Sequence, residues 1–99
     1  MVLVGVLAKF EFKAGNEEAA ERFFQGGKLV VEGQPATTQW FAFHLAATTY
    51  GAFAVFACEE DREALLSSGG PRASRESANL FARAPSFEKV DIVAARALG

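Results

Sequence analysis

The chain has 99 residues and a formal net charge of −2, with 10 basic and 12 acidic side chains. This length fits a single domain that spans residues 1–99. No stripe of basic residues is present, which argues against nucleic acid and against an anionic membrane as partners. Cys58 is the single cysteine. It excludes an internal disulfide and a cysteine zinc site, and it favours a reducing, cytoplasmic setting.

The first predicted elements are a strand and a helix. Residues 2–13 alternate, with apolar side chains at every even number and charged ones at odd numbers from Lys9 onward. This period of two predicts a strand. Asn16 is a suitable N-cap, and two acidic residues follow it where the helix dipole favours negative charge. Apolar residues at helical spacing continue to Val31, and Gly33 ends the predicted helix.

Gly26 and Gly27 lie next to each other inside this predicted helix. Each glycine in a helix interior costs about 1 kcal/mol of stability relative to alanine. Close packing or a bend explains such a pair, and so does room left for a ligand beside the helix. The sequence leaves both interpretations open.

Alternation predicts two further strands, at residues 37–46 and 49–57, joined by a short link. A second helix opens with three acidic residues at 59–61 and is interrupted at Ser67-Ser68-Gly69-Gly70-Pro71. The proline suits the first position of a renewed helix, which is expected to continue until Pro85 stops it. Residues 87–96 are then predicted to form the last strand.

The order of these elements predicts an α+β fold of the ferredoxin-like type, βαββαβ. Right-handed crossovers place the first and third strands in the centre of an antiparallel four-stranded sheet, with both helices on one face. Several strands are apolar on both faces, yet the helices can cover only one. A second copy of the chain, packed sheet on sheet about a two-fold axis, would cover the other face, so we expect a homodimer.

Three segments of the chain resemble the antibiotic biosynthesis monooxygenase family. They are Thr37-Thr38-Gln39-Trp40-Phe41-Ala42-Phe43, Tyr50-Gly51-Ala52-Phe53-Ala54-Val55-Phe56 and Phe87-Glu88-Lys89-Val90-Asp91-Ile92-Val93-Ala94-Ala95. The resemblance extends over nearly the whole chain. The family includes quinol monooxygenases and haem-degrading relatives that share the dimeric α+β barrel.

The resemblance implies a pocket between sheet and helices in which a small quinol- or anthrone-like aromatic reacts with O₂. No metal or flavin is required, because the deprotonated substrate supplies the electrons, and the protein contributes an apolar pocket and a polar group that handles the proton. Related members often carry a histidine after an Arg-x-Ala stretch of the second helix. Here Leu65 follows Arg62-Glu63-Ala64. Leucine can neither ligate haem iron nor transfer a proton, which disfavours haem degradation and keeps a non-catalytic binding or structural dimer open.

His44 and Trp40 are the candidate catalytic residues, and they share one face of the second predicted strand. His44 is the only histidine, and its ordinary pKa of about 6.5 makes it the ready-made general base. The alternative is a hydrogen-bonded or solvated histidine at a strand end. Trp40 can stack on a planar substrate, or it can pack in the core or the dimer interface. One histidine without a cysteine partner does not indicate a metal site.

The remaining candidates are expected to bind the substrate. Tyr50 and Asn79 can orient a phenolic oxygen, although such residues are more often structural. Phe24, Phe53 and Phe81 are expected to form pocket walls, and the sequence does not separate that role from core packing. The expected ligand is a small aromatic molecule.

Overall fold

The computed structural model describes residues 3–96, and the side chains of all of these except residues 68–70 and 73. One antiparallel sheet contains four strands, which are β1 (Leu3–Phe12), β2 (Thr37–Ala46), β3 (Thr49–Phe56) and β4 (Phe81–Ile92). Their order is β2-β3-β1-β4, so the first and third strands are central. The predicted ferredoxin-like α+β fold is confirmed. Val2, which was predicted to begin the first strand, lies outside the described residues.

The helical segments cover one side of this sheet. They are α1 (Glu17–Glu32), α2 (Glu59–Ala64), a π-helical turn (Leu65–Gly69), α3 (Gly70–Glu76) and a 3₁₀ turn (Ala78–Leu80). Asn16 precedes α1 as predicted, but its side chain makes no capping hydrogen bond. The predicted interruption of the second helix takes the form of the π-helical turn. No helix in residues 3–96 is long and apolar enough to cross a membrane.

The prediction that the renewed helix continues to Pro85 is wrong. α3 ends at Glu76, and β4 already begins at Phe81, which pairs with Phe12 of β1. Pro85 lies where the β1–β4 register is irregular, between the pairs that involve Arg83 and Ser86. A proline is tolerated at a bulge of an edge strand, because no ladder hydrogen bond from its nitrogen is needed there. β4 also ends at Ile92, earlier than the predicted residue 96.

The face of the sheet that meets the helices carries the core. Even-numbered residues of β1, from Val4 to Phe12, are buried. The core forms two clusters along this face. One is aromatic around Phe10 and Phe12, and the other is built on Val4, Val6, Ala54 and Phe56. Trp40 and Phe87 pack against both clusters, so they bridge the space between them.

Arg62 fastens α2 to the neighbouring strands β1 and β4. Its side chain is 7% exposed, and Nη1 donates hydrogen bonds to the carbonyl oxygens of Val90 at 3.0 Å and Gly5 at 3.4 Å. Nη2 pairs with the Glu59 carboxylate, and the Asp91 carboxylate lies 3.6 Å from Nη1. These contacts fix the position of α2, and Leu65 follows directly at the start of the π-helical turn.

Candidate functional site

A largely apolar cavity of about 420 Å³ lies between the sheet and the helices, and we call it the Trp40 cavity. Its floor is formed by small residues of the two central strands. Val6 and Ala8 come from β1, and Ala52 and Ala54 come from β3. All four are buried. Because alanine leaves most of the height between sheet and helix unfilled, the space above these residues stays open.

Gly26 and Gly27 form part of the opposite wall, on α1. Outside its chain neighbours and the backbone of its own helix, a Cβ atom added to Gly26 would meet no atom within 4 Å. A Cβ atom on Gly27 would lie 3.4 Å and 3.7 Å from two ring atoms of Trp40, which is ordinary van der Waals contact. The two glycines therefore border open space instead of a close backbone contact. The structure favours the interpretation that they leave room beside the helix.

Trp40 forms a half-buried side wall of this cavity. It lies opposite Ala54 in the β2–β3 register, and Ala54 faces the helices. Its position between the two core clusters fixes the indole against the cavity and presents a flat apolar surface to it. The side chain is suited to stacking on a planar ligand.

His44 does not line the Trp40 cavity. Its ring is stacked on Tyr50 with centroids 4.2 Å apart and planes at 4°, and Nε2 lies 3.4 Å from the carbonyl oxygen of Ala47. Both rings line a separate open groove of about 790 Å³. Along a strand, four residues span about 13 Å, so Trp40 and His44 share a face but not a depression. Phe24 and Arg22 line both the cavity and the groove, and they separate the two.

Three other candidate residues lie away from the Trp40 cavity. Phe53 pairs with Leu7 and Phe41 on the open face of the sheet, because odd-numbered residues of β3 point away from the helices. Phe81 begins β4 and is buried in the aromatic cluster. Asn79 is exposed in the 3₁₀ turn and lines neither the cavity nor the groove. Of the seven candidates, the cavity brings together Trp40 and Phe24, while Tyr50 and His44 share the groove.

The polar side chains of the cavity were not among the sequence candidates. Arg22, Ser74, Glu76 and Ser77 line it, and Ser74 is buried. The carboxylate of Glu76 accepts a hydrogen bond from Arg72 Nε at 3.2 Å. On a helix, polar residues of this kind are typical of a solvated face. For Ser74, Glu76 and Ser77, only the position of the end of α3 could have identified them. Among the described residues, no group of three or more His, Cys, Asp or Glu side chains could hold a metal ion.

Comparison with solved structures places this geometry in a known fold. A putative antibiotic biosynthesis monooxygenase from Caulobacter crescentus CB15 is 20% identical, with 94% of this chain and 92% of that chain covered and a TM-score of 0.74. Another, from Nitrosomonas europaea, is 11% identical, with 92% and 90% covered and a TM-score of 0.78. The chain therefore shares the fold of these antibiotic biosynthesis monooxygenase structures.

A nearer relative carries no functional name. The NE2512 protein of unknown function from Nitrosomonas europaea is 30% identical over 100% of this chain and 97% of its own length, with a TM-score of 0.89. The chain belongs to the same family as that protein. No family model matches the sequence, and no curated protein matches it.

Leu65 lies at the position of the second helix where the resemblance drew attention in the sequence. It begins the π-helical turn, is half-buried and lines the Trp40 cavity. The resemblance puts a histidine of related members at this point of the second helix. Here that part of the cavity wall is aliphatic.

Proposed function

We propose that the chain is a monooxygenase that oxidises a planar quinol- or anthrone-like aromatic with O₂ and without a metal or organic cofactor. The observation that carries this proposal is the Trp40 cavity, which is largely apolar and carries polar side chains at Arg22 on α1 and around the end of α3. Its volume of about 420 Å³ lies within the common range of small-molecule sites, about 300 to 1,000 Å³. In the reaction, one oxygen atom enters the ring and the other leaves as water with two hydrogens of the substrate.

Glu76 is the residue that we propose as proton acceptor. A general base must come within hydrogen-bond reach of the acidic hydroxyl of the substrate. Glu76 lines the Trp40 cavity, whereas His44 lies beyond Phe24 in the groove. A ring stacked on Trp40 could direct its hydroxyl toward α3, where Ser77 offers a further hydrogen bond. His44 remains the alternative base for a ligand that extends past Phe24.

The test of this proposal is oxygen consumption with a panel of hydroquinones and anthrones, with and without protein. We expect Glu76→Gln to lower the rate at least about 100-fold if it is the base. Glu60→Gln, an exposed acid-to-amide change on α2 that does not line the cavity, is the matched control and should leave the rate unchanged. A loss of rate in His44→Gln instead would assign the base to the groove. Equal product with and without protein would contradict the activity.

A second candidate function is binding of an aromatic ligand without turnover. Leu65 favours it, because the wall that it forms cannot transfer a proton. Trp40 is the only tryptophan, so its fluorescence reports binding in the cavity directly. Quenching by a hydroquinone under air, with no oxygen consumed, would support the binding function and exclude the oxygenase.

We further propose a homodimer formed through the open face of the sheet. Phe41 is 50% exposed there and Phe43 36%. A Cβ atom on Gly51 would lie 2.4 Å from the Phe43 ring, and one on Gly5 would lie 3.0 Å from the Phe53 ring. Both rings therefore lie over glycines of the neighbouring strand. The exposed phenylalanine rings make this face apolar, which suits packing against the same face of a second copy.

The oligomeric state at micromolar concentration tests the homodimer. We expect a dimer in sedimentation velocity and a monomer for Phe41→Lys, because the new charge would be buried at the interface. Leu29→Lys is the matched control, since Leu29 is 70% exposed on α1, away from the open face. A monomeric unsubstituted protein would contradict the proposal.

The cytoplasmic setting suggested by the single cysteine stays a prediction.

A further inference from the structure

A second cavity adjoins the Trp40 cavity, on the side where α3 meets the start of β4. Its volume is about 400 Å³, and Pro71, Ala78 and Pro85 are among its apolar lining residues. Ser74 and Phe87 line both cavities, so these two side chains form the wall between them.

The Phe87 ring is held in this position from two sides. It lies on β4 opposite Ala8, whose methyl group leaves the ring free to extend toward the helices. Phe10 contacts it edge to face, with centroids 6.1 Å apart and planes at 88°. The ring also packs against both core clusters. These contacts favour a fixed wall over a mobile side chain.

The two cavities differ in charge as well as in position. The described lining of the second cavity includes Arg75 and Arg83 and no acidic residue. Both arginines are exposed at its edge. A ligand that reached this space would therefore be favoured if it ended in an anionic group such as a carboxylate.

We infer that Phe87 determines substrate size, confining the aromatic substrate to the Trp40 cavity and excluding ring substituents longer than a few atoms. This inference rests on the proposed function, since it assumes an aromatic ligand beside Trp40. Reducing the Phe87 side chain would join the cavities, and a long substituent would then enter the second one. Arg75 would select a carboxylate at its end.

The experiment measures binding anaerobically by quenching of Trp40 fluorescence, with calorimetry as a second readout. The probes are 2-methylhydroquinone, 2-hexylhydroquinone and 6-(2,5-dihydroxyphenyl)hexanoic acid. We expect the unsubstituted protein to bind the methyl compound at least about tenfold more tightly than the hexyl compound. Phe87→Ala should bind the hexyl compound at least about tenfold more tightly than the unsubstituted protein does, with little change for the methyl compound.

Variants with side chains of intermediate size at position 87 allow the test to be made even if Phe87→Ala does not fold. Phe87→Val suits a strand and should show an intermediate gain, whereas Phe87→Leu fills most of the ring volume and should stay selective for the methyl compound. In Phe87→Ala, the hexanoic acid should bind more tightly than the hexyl compound. Arg75→Gln should weaken that preference, because Arg83 still lines the same cavity.

The outcomes distinguish the role of Phe87 in substrate size from the proposed binding of an aromatic substrate. If the unsubstituted protein binds no probe, both fail. If it binds the methyl compound but Phe87→Val and Phe87→Ala change all probes equally, the role of Phe87 is refuted while aromatic binding stands. Equal affinity of the unsubstituted protein for the methyl and hexyl compounds would refute it as well.

Discussion

The two glycines of α1 allow a sharp test of whether the space beside this helix is real. We consider Gly26→Ala and Gly27→Ala as separate variants. Neither glycine has a positive φ, so alanine can adopt the same backbone conformation. The added methyl group of Gly26→Ala meets nothing within 4 Å, and that of Gly27→Ala meets only the Trp40 ring, at 3.4 Å and 3.7 Å.

The expected magnitude follows from helix propensity. Each substitution removes a glycine from a helix interior and should raise the free energy of unfolding by about 1 kcal/mol. Gly27→Ala also places a methyl group against Trp40, which adds at most about 0.8 kcal/mol. For a domain of this size, 1 kcal/mol corresponds to a rise in melting temperature of about 4–8 °C.

Thermal and urea unfolding, followed by circular dichroism, measure the melting temperature and the free energy of unfolding of both variants. All samples are kept at one protein concentration, because the stability of a dimer depends on concentration. Gly15→Ala is the control, since Gly15 has φ of 84° and alanine is strained there. We expect it to lose about 1 kcal/mol. A loss of stability in Gly26→Ala and Gly27→Ala would refute the reasoning, because it would mean that the helix packs closely at these positions.

Two further predictions concern side chains that make polar contacts with the sheet. Arg62→Met should lower the free energy of unfolding by about 2–3 kcal/mol, because it removes charged hydrogen bonds to two strand carbonyls. Urea unfolding measures this loss, and a value below about 0.5 kcal/mol would contradict the anchoring role. Hydrogen bonds from Thr48 and Thr49 lower the pKa of Glu11 below its ordinary value. The stabilisation from Glu11 is therefore present above its unfolded pKa and is lost as the pH falls through its folded pKa. Thr49→Val should move that pKa upward in an NMR titration of the Glu11 carboxyl, and an unchanged value would show that the hydrogen bond at 2.6 Å is not retained in solution.

Much of the sheet could be predicted because alternation reports directly on strands. The predicted span 37–46 agrees with β2. Alternation separated the two faces of β1, and only the structure shows that the even-numbered face meets the helices. The end of the second helical segment could not be predicted in this way. Pro85 reads as a helix stop, and only pairing with β1 shows that it belongs to an irregular stretch of an edge strand. Long-range pairing overrides the local signal there.

The candidate site shows a similar limit. Alternation correctly placed Trp40 and His44 on one face, but it gives no position along the strand relative to the helix above it. Whether the two side chains reach the same space depends on the helix. The Phe24 side chain of α1 separates the Trp40 cavity from the groove of His44 and Tyr50. A residue of another element thus divides what the strand pattern joins.

The site therefore depends on where bulk is absent as much as on which reactive groups are present. Alanines on the central strands and glycines on α1 create the space, and single aromatic rings define its limits. Phe24 separates it from His44, and Phe87 separates it from the arginine-edged second cavity. If the substrate supplies its own electrons, selectivity and proton transfer are what remain for the protein to provide. In that case, substitutions of these two rings should change which substrates react, and substitution of Glu76 should change how fast they react.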